Sequence, residues 1–118
     1  MNLQRGDVVL AWFPFSSGTG GKRRPCEVIQ NDHENRRLTN TIIVQFTSNL
    51  ARQFLPSQVF VEITTSEGIQ TGLLHDSVIS CNNIATIEQT LVSTVIGTLG
   101  PTLLLSLYAA MKHTFEIN

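Results

Sequence analysis

The chain holds only two cysteines, Cys26 and Cys81, too far apart for a CxxC redox or zinc motif. Each is flanked by strand-like residues, so both read as small core hydrophobes rather than as a disulfide or a reactive thiol. Long apolar runs are also missing. The two longest, Val8 to Phe13 and Leu103 to Met111 with Ser106 interrupting, fall well short of the ~20 residues a membrane-crossing helix needs. The N-terminus reads Met-Asn-Leu-Gln-Arg-Gly-Asp and carries no cationic stretch followed by an apolar core and a cleavage site, which predicts a cytoplasmic protein. His33, His75 and His113 are isolated, with no HxH or HExxH spacing, so no metal or other cofactor is expected. His33 and His75 fall in loops where a general base would be useful, yet a solvated surface histidine is the more ordinary explanation and neither is taken as a site residue.

Several catalytic signatures fail on single residues. Gly18-Thr19-Gly20-Gly21-Lys22 invites a phosphate-loop reading, but that loop needs glycine at 16 and Ser or Thr at 23, where Ser16 and Arg23 stand. The dinucleotide fingerprint fails because its third glycine falls on Arg23. No GxSxG elbow is present, and Asp32 and Glu34 sit in a polar segment with Arg36 and Arg37 behind them.

What is present suits one domain over residues 1–118, with 42% hydrophobic residues to fill a single core. Charge is low overall, at 14% of residues and a formal net charge of −1, but unevenly spread. Residues 1–52 hold seven of the eight basic side chains, Arg5, Lys22, Arg23, Arg24, Arg36, Arg37 and Arg52, whereas residues 53–118 hold only Lys112 against five acids. Such asymmetry fits one face that attracts phosphates, or simply a solvated surface.

Val8 to Phe13, β-branched and aromatic and stopped by Pro14, predicts a first strand buried on both faces. Residues 16–21 form a flexible loop, Cys26 to Gln30 a second strand, Asn31 to Asn40 a polar segment and Thr41 to Phe46 a third strand ending at Thr47-Ser48. Those hydroxyls suit the cap of a short helix over Asn49 to Phe54. A fourth strand is expected over Gln58 to Thr64, a loop around Gly68 and Gly72, and further strands over Ser77 to Cys81 and Ile84 to Ile96, the latter open to an interruption near Glu88. Gly100-Pro101 opens a C-terminal helix with Leu103, Leu104, Leu107, Tyr108 and Met111 at helical spacing. The fold class expected is α+β, mostly β: an antiparallel, barrel-like sheet with a C-terminal helix.

Against this background the sequence resembles the MazF/PemK toxin family. The matching segments are Arg5-Gly6-Asp7-Val8, Gly20-Gly21-Lys22-Arg23-Arg24-Pro25, Val28-Ile29-Gln30-Asn31-Asp32, Asn40-Thr41-Ile42-Ile43-Val44 running to Thr47-Ser48, Gly72-Leu73, Asp76-Ser77-Val78 and Gly97-Thr98-Leu99. They occur in order over nearly the whole chain; Ser80-Cys81-Asn82-Asn83 departs from the acidic-glutamine pattern of the family. The resemblance implies an SH3-like barrel, a homodimer whose groove admits single-stranded RNA, metal-free cleavage of that RNA, and a cognate antitoxin whose disordered tail fills the groove. It also implies that Arg24 and Thr47 are the catalytic pair. A different class, a non-enzymatic CcdB-like toxin binding a protein such as a topoisomerase, shares the barrel and needs no basic turn.

Metal-free cleavage uses the RNA's own 2′-hydroxyl, so the protein must stabilise charge growing on phosphorus. A guanidinium such as Arg24 holds two phosphate oxygens in fixed geometry, and preorganised donors of this kind give about 10²- to 10³-fold each. Thr47, stiff at a strand end, can hold the phosphate or orient the 2′-hydroxyl, or can serve as the cap for residues 49–54. Lys22, Arg23 and Ser48 are the candidates for neighbouring RNA contacts, and Phe15, Gln30 and Asn31 for the bases; Phe15 fits the core equally well.

Overall fold

The structure, a computed structural model, describes residues 2–118. Six strands and three α-helices are found among them: β1 Asp7–Pro14, β2 Gly21–Val28, α1 Asp32–Arg37, β3 Asn40–Thr47, β4 Gln58–Val61, α2 Ser66–Gln70, β5 Ser77–Glu88, β6 Val92–Thr98 and α3 Pro101–Phe115. All the strands join one antiparallel sheet in the order β4-β5-β3-β2-β1-β6. The expected barrel therefore stays open, since β4 and β6 are edges that do not pair with each other.

Side chains alternate across a pleated strand, and here the alternation divides the apolar residues between two cores. Val8, Val44, Phe46, Val59, Val61 and Ile79 face α3, where Leu107 and Ala110 meet them. Their strand neighbours Val9, Ala11, Cys26, Val28 and Ile43 form the second core with Phe13, Ile87 and Val92. Both faces of β1 are buried only at its start, at Val8 and Val9; Leu10 is half-buried and Trp12 is 40% exposed, so the expected two-faced burial does not run the length of the strand. Leucines and an alanine on one side of α3, after Pro101 at its first turn, dock it onto β4 and β5.

The cysteines lie one in each core, both free and buried. Burial pushes the Cys26 thiol up to about 12, the Arg24 charge pulling the other way, and burial pushes Cys81 to about 11.

Five expectations need correction. No helix forms over Asn49 to Phe54; Thr47 Oγ1 accepts the Asn49 amide at 3.1 Å and Asn49 Oδ1 accepts that of Ala51 at 3.1 Å. Such local bonds satisfy the backbone in turns, and a segment this short gains too little to nucleate a helix. The polar segment after β2 contains α1, capped by Asn31, and the expected loop at Gly68 contains α2, capped by Thr65. Gly68 is buried there, packed so closely that any Cβ would strike the Glu62 carbonyl. The fourth strand ends at Val61, since Ile63 N is taken by Asp76 Oδ1 at 2.9 Å. Lastly, β5 is one strand where two were expected, and its pairing with β3 jumps from Val44–Ile84 to Gln45–Ser80. Cys81 to Asn83 have no partner on β3 and form a bulge.

Candidate active site

The basic turn owes its shape to two glycines. Gly20 adopts φ +74°, and at Gly21 a Cβ would collide with the Phe13 carbonyl and the Trp12 ring. Lys22, Arg23 and Arg24 follow at once, facing Phe13, Trp12 and Ala11 on β1. On the other side β2 pairs with β3 only from Cys26–Gln45 to Val28–Ile43. Pro25 lacks an N–H, so the ladder stops there. The ladder ends two residues short of Arg24 and Thr47, which are left on the two strands beyond its last pair.

Where β2 and β3 part, a cavity of about 490 Å³ opens. Lys22, Arg23 and Arg24 line it from β2, and Thr47 and Ser48 from the end of β3. Ser77, the first residue of β5, and His75, two residues before it, also line the cavity, since the start of β5 lies beside that end where Thr47 pairs with Val78. Leu10, Phe46, Leu73 and Ile96 supply an apolar floor. Three cationic side chains with no carboxylate among the lining residues suit a phosphodiester. Arg24 and Thr47 are half-buried, whereas Lys22, Arg23 and Ser48 are exposed.

A second hollow of about 350 Å³ lies next to the first, and Arg24 lines both. Phe15, Gln45, Asn82 and Asn83 line it too, the last two carried there by the bulge in β5. Phe15 is 43% exposed, so it is not a core residue.

Gln30 and Asn31 do not reach either cavity. Gln30 is buried, its Nε2 donating to Asn35 Oδ1 at 2.9 Å and to the Asn40 carbonyl at 3.0 Å, and Asn31 Oδ1 accepts the Glu34 amide at 2.8 Å as the α1 cap. Both amides are committed to holding the β2–β3 connection. Conversely, His75, Gln45, Asn82 and Asn83 were absent from the sequence-based site. A clue lay in Asp76-Ser77-Val78, which marked this segment in the resemblance without saying that it folds back beside Thr47.

A family model for "PemK-like, MazF-like toxin of type II toxin-antitoxin system" matches residues 4–115. The chain belongs to the MazF/PemK toxin family. A Mycobacterium tuberculosis (strain ATCC 25618 / H37Rv) relative, Endoribonuclease MazF6, is 31% identical over 119 residues, covering 99% of this chain and 100% of the relative. Endoribonuclease EndoA of Bacillus subtilis (strain 168) is 33% identical over 90 residues, covering 75% of this chain and 73% of its own. Among solved structures, the Mycobacterium tuberculosis toxin MazF-mt6 superimposes with a TM-score of 0.76 at 23% identity, covering 95% of this chain and 98% of that one. A Deinococcus radiodurans MazE-MazF crystal structure (Form-III) gives 0.74 at 15% identity over 100% of both chains. These likenesses establish that the open six-stranded sheet with its C-terminal helix is the MazF architecture.

Proposed function

We propose that this MazF/PemK toxin is an endoribonuclease that cuts single-stranded RNA without a metal ion, by attack of the RNA's own 2′-hydroxyl. In this reading it works in the cytoplasm as a homodimer and is restrained by a cognate antitoxin. Relatives bear the name endoribonuclease, and one superimposable structure is an endoribonuclease in complex with its cognate antitoxin. Among the described residues no helix is long and apolar enough to cross a membrane.

The observation that carries the reading is the cavity where β2 and β3 separate, lined by Arg24 from one strand and Thr47 from the other. Arg24 holds two non-bridging oxygens of the scissile phosphate, and Thr47 fixes the third point of contact or the 2′-hydroxyl. Lys22 and Arg23 take flanking phosphates, which positions the strand without reading its sequence, and Ser48 adds a hydroxyl at the rim. Phe15, in the adjoining hollow, offers a ring on which an unpaired base stacks. A toxin that merely binds a protein target requires no such convergence of guanidinium, hydroxyl and basic neighbours.

The test is cleavage of a single-stranded RNA by the purified protein in EDTA. The expected products carry a 2′,3′-cyclic phosphate and a 5′-hydroxyl, and Arg24→Ala slows their release at least about a hundredfold. Intact RNA after prolonged incubation with folded protein refutes the proposal.

A further inference from the structure

Cleavage by a 2′-hydroxyl moves two protons, and the pair described so far moves neither well. A guanidinium stays charged up to pH ~12, and a threonine hydroxyl is a weaker acid than water-borne buffers. Departure of the 5′-oxygen is the step that most needs a proton, because an unprotonated alkoxide leaves slowly.

Of the side chains lining the 490 Å³ cavity, His75 carries an imidazole, the group whose ordinary titration falls between pH 5 and 8. It shares the cavity with Arg24 and Thr47, and it also lines the adjacent shallow hollow with Ser48 and Asp76. It thus lines both the cavity that holds Arg24 and Thr47 and a shallow hollow beside it. The charged groups around it are Lys22, Arg23 and Arg24 from β2 and its own neighbour Asp76.

The backbone on either side of His75 is pinned while the ring is exposed. Upstream, Gly72 sits at φ +73°, where a Cβ would run into the Ile96 carbonyl. Downstream, Asp76 Oδ1 accepts the Ile63 amide at 2.9 Å, Ser77 Oγ donates to the His75 carbonyl at 2.8 Å, and Val78 pairs with Thr47. Among the described residues no hydrogen bond engages the imidazole itself. A fixed backbone carrying an uncommitted ring over a basic cavity is the arrangement a proton donor requires.

We infer that His75 is the general acid of this site, an assignment that rests on the nuclease reading above. The 2′-oxygen bonds to phosphorus and its proton passes to solvent. The bond from phosphorus to the 5′-oxygen breaks, its electron pair goes to that oxygen, and the imidazolium of His75 supplies the proton. A 2′,3′-cyclic phosphate and a 5′-hydroxyl leave, and the neutral imidazole is reprotonated by water at the open side of the cavity.

Single-turnover cleavage of two RNAs tests this, one ordinary and one with sulfur in place of the 5′-bridging oxygen at the cut site, a leaving group that needs no proton. His75→Ala and His75→Gln cut the ordinary RNA at least about a hundredfold more slowly than wild type but restore near wild-type rates on the sulfur substrate. Arg24→Ala stays slow on both, because its loss is charge stabilisation. Wild-type rates for His75→Ala on ordinary RNA, or an equal deficit on the two substrates, overturn the assignment while leaving the nuclease reading intact. If the wild-type protein cuts neither RNA, both readings fall.

Discussion

Replacing Glu27 with leucine should stabilise the fold and flatten its dependence on pH. Glu27 is fully buried between Val8 and Val44 in the sheet, and neither carboxyl oxygen has a hydrogen-bond partner. Burial pushes its carboxyl well above the ordinary 4.5, Asp7 pushes the same way, and Arg5 opposes them. The folded protein thus keeps Glu27 protonated where the unfolded chain has already released the proton. Its contribution is neutral below the unfolded value of 4.5, and stability falls as pH rises from there toward the folded value. Within that window the slope approaches about 1.4 kcal/mol per pH unit for a single group. Even uncharged, an unpaired buried carboxyl costs roughly 1–3 kcal/mol.

Urea unfolding at pH 5, 6 and 7 separates the two parts. Wild type should weaken with each step. Glu27→Leu should remain level and exceed wild type by at least the roughly 1–3 kcal/mol of the unpaired group, the gap widening with pH. Glu27→Gln should also remain level, since it cannot titrate, yet gain less because it keeps an unpaired amide. Parallel pH profiles for wild type and Glu27→Leu would refute the reasoning, as would a leucine variant less stable than wild type at pH 7.

The site and the rest of the fold give further tests. Arg24→Lys should recover little of the activity lost in Arg24→Ala, because an ammonium cannot span two phosphate oxygens; near-complete recovery in a cleavage assay would mean that charge alone suffices. Glu67 is held below the ordinary carboxylate value, first by the Leu103 amide at 2.9 Å and also by Thr102, so it stabilises the start of α3 above pH 4.5 and loses that effect as the pH falls. In urea unfolding monitored by circular dichroism, the stability advantage of wild type over Glu67→Gln should be present above pH 4.5 and shrink as the pH falls below it, whereas a constant difference would refute the assignment. Cys26 and Cys81, with thiols pushed to about 12 and about 11, should react with a thiol probe at pH 8 only at the rate of unfolding. Leu107→Ala, which empties the contact between α3 and the sheet, should cost about 2–5 kcal/mol in a denaturant titration.

Local patterns in the chain were enough for a good part of this molecule. The β-branched run of β1, the proline at the start of α3 and the leucines behind it each specify an element through neighbours a few residues away, and the ordered segments of the family resemblance pointed to Arg24 and Thr47. Short polar segments were less legible. α1 and α2 exist because Asn31 and Thr65 cap them and the surrounding sheet supports them, whereas residues 49–54, with similar composition, spend the same side-chain oxygens on turns. Likewise Gln30 and Asn31 carry amides fit for reading a base, and only their tertiary partners reveal that those amides are already engaged.

The sequence by itself determined the two-sided strands, the terminal helix and the chemical character of the basic turn, since all three follow from the identity and spacing of nearby residues. Tertiary structure alone decided that the sheet stays open, that β5 bulges at Asn82 and Asn83, and that His75 stands at the cavity shared by Arg24 and Thr47. The physical reason is strand order: β5 packs against β3, so residues about thirty positions apart along the chain become neighbours through backbone pairing that no local pattern encodes.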